Sequence, residues 1–67
     1  MKIFCERFKM LRKDNNYSTI SLGKKLNVSN STITRWENGI ILPSIEHLYN
    51  MAKLFQVSSD YLIGLED

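Results

Sequence analysis

The chain has one cysteine, one histidine, one proline and three glycines in 67 residues. Cys5, standing alone, closes no internal disulfide. It and His47 belong to no group of histidines, cysteines and carboxylates at metal-ligand spacing, so no structural zinc is expected. A reduced, cytoplasmic protein without metal or cofactor is the expectation. Long apolar runs are also missing: Ile40-Ile41-Leu42 spans three residues, against the roughly 20 that cross a bilayer. No membrane partner is expected. The opening MKIFCERFKM is basic but charges interrupt it at once, which does not suit a signal peptide. No stretch alternates apolar and polar residues long enough for a strand. Repeats and low-complexity linkers are absent too.

Neither sign of charge dominates. Nine Lys and Arg face seven Asp and Glu, a net charge of +2. The distribution is more telling than the sum. Lys2, Arg7, Lys9, Arg12 and Lys13 all precede residue 14, whereas Gly64-Leu65-Glu66-Asp67 carries two acids and no base. One end can face an anion and the other cannot. There are no paired acids suited to a pocket, no phosphate loop and no nucleophile set, so an enzyme is not expected. His47 is expected on the outer side of its helix, without a catalytic or metal role. Cys5 is expected at or near the surface.

What remains is helical throughout. Sixty-seven residues make one domain, 1–67, whose core must be simple at this size. Phe4, Phe8 and Leu11 fall at i, i+4, i+7 and predict a first helix over about 3–14, with Lys2, Lys9 and Lys13 on its far side and Arg12 on its flank. Asp14-Asn15-Asn16 signals a turn. Ser18 is a good cap for a second helix that ends near Leu26. Gly23 interrupts that helix at about 1 kcal/mol relative to alanine, which a close helix crossing explains. Asn27 suits the left-handed residue that stops a helix. Ser29 caps a third helix, 30–37, terminated by Asn38-Gly39. Pro43-Ser44 announces a fourth, running to about Phe55, with Ile45, Leu48, Met51, Ala52 and Phe55 as its buried arc and Leu54 opposite. Ser58 or Ser59 starts a short fifth through Tyr61-Leu62-Ile63, stopped by Gly64. Leu62 is expected in the core. Leu65 stays open between core and interface, as do Ile41 and Leu42. The fold class is therefore a compact all-α domain of five helices.

Helices two and three are separated by about three residues and share Leu22, Leu26, Val28, Ile33 and Trp36 as inward contacts. Two short helices joined by a tight turn and crossing steeply form a helix-turn-helix, here over about 19–38. The second helix of such a pair is pushed outward, where it can enter a major groove. With Ile33 and Trp36 inward at about 100° per residue, Ser31, Thr34, Arg35 and Asn38 point away from the core. Asn30 lies to one side in the first turn. Asn pairs bidentately with adenine and Arg with guanine, while Ser and Thr bond either kind of base. This outward set has no acid to repel phosphate. Ser18, Thr19 and Ser29 stand at helix N-termini, where free N–H groups and the helix dipole favour an anion. Each of these residue types is also a common cap or a common solvated surface residue.

LNVSNSTITRWENG, followed by LPSIEHLYNMAKLFQVSSDYLIG, resembles the phage-repressor and Cro-like helix-turn-helix family of the Xre type, the lambda-repressor-like DNA-binding domain. The resemblance covers about 8–64. It implies that Asn30, Ser31, Thr34 and Arg35 reach base edges, and that Ser29, Thr32 and Asn38 meet the sugar-phosphate backbone. Thr19 falls where the family often has a phosphate-binding glutamine. Arg12 and Glu37 match an arginine–glutamate pair that ties the first helix to the end of the third. Four positions depart from the family pattern. Thr19 shortens the glutamine contact. Gly23 replaces the usual alanine, at a cost in stability. Asn27 replaces the usual glycine. Ile40 and Ile41 stand where the loop is often basic or polar, so phosphate grip there should be weaker.

The expected function is sequence-specific DNA binding by a transcriptional regulator, most simply a repressor. Double-stranded DNA is the expected partner. A homodimer, at least on DNA, would read half-sites about 34 Å apart on a near-palindromic operator. The alternative is a protein-interaction module, such as an antitoxin, using Ile40-Ile41-Leu42 against a protein partner.

Overall fold

The computed structural model describes all residues, 1–67, as five helices without a strand: α1 (Lys2–Asp14), α2 (Thr19–Leu26), α3 (Asn30–Glu37), α4 (Ile45–Phe55) and α5 (Ser59–Ile63). Serine starts four of them. The hydroxyls of Ser18, Ser29, Ser44 and Ser58 each accept the N–H three residues on, at Ser21, Thr32, His47 and Tyr61. Each serine thereby satisfies one of the donors a helix leaves orphaned at its start. At α2 the cap is reciprocal, because the Ser21 hydroxyl also accepts the Ser18 N–H at 2.9 Å.

The helix ends share one device. After each helix a residue turns left-handed: Asn16, Asn27, Gly39, Gln56 and Gly64, with φ between 57° and 90°. The next N–H then reaches back to the carbonyl five residues earlier, as in Val28 to Gly23 at 2.8 Å and Val57 to Ala52 at 3.1 Å. This is the Schellman closure, and it commonly brings an apolar residue down behind the helix. Tyr17, Val28 and Val57 follow that pattern and pack against the core.

Every helix contributes to that core: Phe4 and Phe8 from α1, Leu22 and Leu26 from α2, Ile33 and Trp36 from α3, Met51, Ala52 and Phe55 from α4, and Leu62 from α5. Phe8 is its centre. Its ring stacks on Phe4 at 5.4 Å and meets the rings of Trp36 and Phe55 edge-on at 5.9 and 6.2 Å, geometries favoured by the aromatic quadrupole. α2 and α3 cross where residue 23 has no side chain. A Cβ there would lie 2.7 Å from the Val28 carbonyl oxygen. The glycine that weakens α2 locally is thus what lets the following turn close so tightly.

The fourth helix departs from its predicted arc. Ile45 is 86% exposed: it is the first residue of α4, and the stripe it begins overhangs the core at that end. Leu54, expected opposite the arc, is half-buried against the core, because the end of α2 lies beside it. His47 is not on the outer side either. It is half-buried, with its ring 5.2 Å from Trp36 and its Nδ1 2.9 Å from the Ser44 hydroxyl. Ile41, Leu42 and Leu65 are exposed and plug nothing, while Leu62 is fully buried.

Candidate nucleic-acid interface

The polar face of α3 is what the fold leaves outward once Ile33 and Trp36 are buried. Asn30, Ser31, Thr34, Arg35 and Asn38 are all exposed along it, and Thr32 is half-buried. These residues differ in what they have left to offer. The Ser29 hydroxyl accepts the Thr32 N–H and lies 3.0 Å from the hydroxyls of both Ser31 and Thr32. The Thr34 hydroxyl donates to the Asn30 carbonyl at 3.2 Å, a common mid-helix bond for threonine. The side chains of Asn30, Arg35 and Asn38 form no hydrogen bond within the chain and keep their full donor and acceptor sets. The hydroxyls therefore organise the start of the helix, and the two amides and the guanidinium are free.

At the start of α2, the Ser18 hydroxyl is engaged in the reciprocal cap with Ser21. Thr19 is half-buried in the first turn. What this end presents to an anion is mainly the backbone N–H groups of the first turn, which have no partner inside the helix.

Arg12 and Glu37 stand apart from this surface. The Arg12 Nε donates to Glu37 Oε2 at 2.5 Å and Nη2 donates to Oε1 at 3.2 Å, while Nη1 donates to the Tyr17 carbonyl at 3.0 Å. The two side chains are 13% and 7% exposed. A bidentate pair of this kind holds direction as well as distance. It joins α1, the turn before α2 and the last residue of α3. Glu37, the only acid on α3, is neutralised there and turned away from the polar face.

The fold also makes contacts that no local pattern announced. Arg7 lies 4.2 Å over the Tyr61 ring and donates to the carbonyls of Tyr61 and Glu66. The Ser58 hydroxyl donates to the Glu66 carboxylate. Both contacts fasten the C-terminal end of the chain, far in sequence from α3. Another long-range arrangement sets the N-terminal half of α1 beside the end of α3. Lys2, Cys5, Glu6 and Lys9 line a shallow open cavity of about 480 Å³ together with Glu37, Asn38 and Gly39, and the Cys5 thiol donates to the Trp36 carbonyl. Nothing in the spacing of Lys2 and Lys9 placed them next to residue 38.

A five-helix domain with this α2–α3 crossing and this exposed third helix is of the lambda-repressor-like type. The Helix-turn-helix family model matches residues 8–62, and the chain belongs to that family. An uncharacterised HTH-type transcriptional regulator of Bacillus subtilis, YobD, is 31% identical over 97% of this chain. Repressor protein C2 of Salmonella phage P22 is 38% identical over 87% of it. The chain spans 58% of the length of the first relative and 27% of the second. Among solved structures, that of the P22 c2 repressor in complex with a synthetic operator superimposes with a TM-score of 0.85 at 35% identity, covering 92% of this chain and 94% of that one. No helix is long and apolar enough to cross a membrane.

Proposed function

We propose that this chain is the DNA-binding part of a transcriptional regulator, most simply a repressor, that places α3 in the major groove. One observation carries the reading. The outward face of α3 presents uncommitted Asn30 and Arg35 and no free acid, on a helix locked in place by Arg12 and Glu37. Asn30, Ser31, Thr34 and Arg35 read base edges. Ser29, Thr32 and Asn38 meet the phosphate backbone, as does the start of α2 at Ser18 and Thr19, there chiefly through backbone N–H groups. The relatives named above are described as a transcriptional regulator and a repressor, and the neighbouring structure holds an operator. They lend no support to the antitoxin alternative.

The regulator acts as a homodimer on a near-palindromic site. Half-sites one turn apart are separated by about 34 Å, and one domain measures 28 × 23 × 21 Å between Cα atoms. Side chains close much of the difference, so two copies side by side on one face of the duplex meet. Ile45 and Tyr49, 86% and 59% exposed, border an apolar groove with Leu48 and Val57, and this surface suits a second copy.

Selection of bound duplexes from a random pool tests the reading at about 0.15 M salt, where counterion release does not swamp specificity. An enriched two-fold-symmetric site is the expected result. Weak, salt-sensitive binding without any enriched site would remove α3 as a reader.

A further inference from the structure

The loop after α3 carries no cation. Ile40, Ile41, Leu42, Pro43 and Ser44 follow Gly39 before α4 begins. A protein that sets α3 in a groove brings the end of that helix close to a phosphate strand, and a neutral apolar loop gains little there. The fold supplies positive charge from elsewhere. Lys2 and Lys9, seven residues and about two turns apart on α1, share the cavity with Asn38 and Gly39.

Resting on the reading of α3 as the groove helix, we infer that Lys2 and Lys9 form a phosphate-backbone site with Asn38, in place of a basic loop. Three observations support it. Both lysines are exposed, and neither has an ion-pair partner, because the one ion pair in the chain joins Arg12 and Glu37. The Asn38 amide between them and the reading residues is uncommitted. Of the two acids lining the cavity, Glu37 is neutralised by Arg12, which leaves Glu6 against two lysines. The balance there is positive, and the ammonium groups sit on long stems that can follow a backbone without reading bases. The strongly basic first helix, unexplained by the core, thereby acquires a role: it positions the duplex against the end of α3.

The test is the salt dependence of duplex binding for Lys2→Ala, Lys9→Ala and the double variant. Lys25→Ala serves as a charge-matched control, since Lys25 is exposed at the end of α2, where it borders Asn50 and Leu54 and not Asn38. Removing one phosphate-bound lysine should lower the slope of log K against log salt by about 0.9, which corresponds to about fivefold weaker binding at 0.15 M salt. The double variant should show about twice that reduction and keep the wild-type base preference and thermal stability. Slopes unchanged from wild type, or reduced no more than by Lys25→Ala, would overturn the site. Base preference of the wild-type protein is scored separately: its absence defeats the reader assignment, whereas an unchanged slope with preference intact defeats the lysine site alone.

Discussion

Asn30 and Arg35 are the two side chains on α3 that can read a base without first giving up a bond inside the protein. Replacing either by alanine should cost about 1–3 kcal/mol of binding to the preferred duplex and relax preference at one base pair. Competition between the preferred site and singly substituted sites measures it. A variant that binds more weakly but keeps every preference would be a backbone contact instead. Arg12 behaves differently, because its charge is spent inside. Arg12→Ala leaves the Glu37 carboxylate nearly buried without a partner and should cost about 3 kcal/mol in urea unfolding, at the lower end of the range for breaking a buried pair. Adding Glu37→Ala should return part of that stability, since the stranded charge goes with it. If the double variant is no more stable than Arg12→Ala, the cost lies in the guanidinium's bond to Tyr17 and in its packing.

At the scale of the helix, starts and stops were unequally legible. Ser18, Ser29 and Ser44 are visible as caps because serine competes for its own backbone and suits that position. Asn27, Gly39 and Gly64 are visible as stops. Gln56 is not. Glutamine has no preference for the left-handed region, and it adopts φ 57° because Val57 must come down onto the core and bond back to Ala52. Tertiary burial overrides the local preference there. The strain is removable: Gln56→Gly should raise stability by about 0.5–1 kcal/mol, the left-handed penalty less the extra chain entropy of glycine. Asn27→Gly should gain less, since asparagine tolerates that conformation. Thermal unfolding of the two variants side by side tests the ordering. Gly23 teaches the converse. Its helix-breaking cost is evident from composition, but the reason for it, the Val28 carbonyl where a Cβ would stand, belongs to the crossing of two helices.

The whole molecule is small enough that its partners become part of its energetics. A chain of this size holds only about 3–5 kcal/mol from a single core, and in the proposed complex one domain would offer DNA a single short helix, so a second copy would contribute both symmetry and affinity. Ile45→Asp with Tyr49→Asp should leave the monomer folded, because both side chains are exposed. It should weaken binding to a palindromic duplex by about tenfold or more while sparing a single half-site. Titration of full-site and half-site duplexes distinguishes these. Equal weakening on both would place the two residues against DNA, and no weakening on either would move the contact between copies to another face.

The sequence alone determined the helical class, three of the serine starts, the inward pair Ile33 and Trp36, and the candidate polar face of α3; the fourth start stayed open between Ser58 and Ser59 until the fold chose Ser58. Those properties are local, written in periods of three and four residues and in single capping side chains. The tertiary structure decided which residues at element ends and flanks are covered. Ile45 overhangs the core although it keeps the period, whereas His47 and Leu54 are drawn in by Trp36 and by the end of α2. It also decided what the charged side chains face: Arg7 the Tyr61 ring and the carbonyls of Tyr61 and Glu66, and Lys2 and Lys9 the cavity they share with Asn38. Helical periodicity gives the angle of a side chain about its own axis. Only the packing of all five axes states what lies at that angle, and for Lys2 and Lys9 of α1 it is the end of α3.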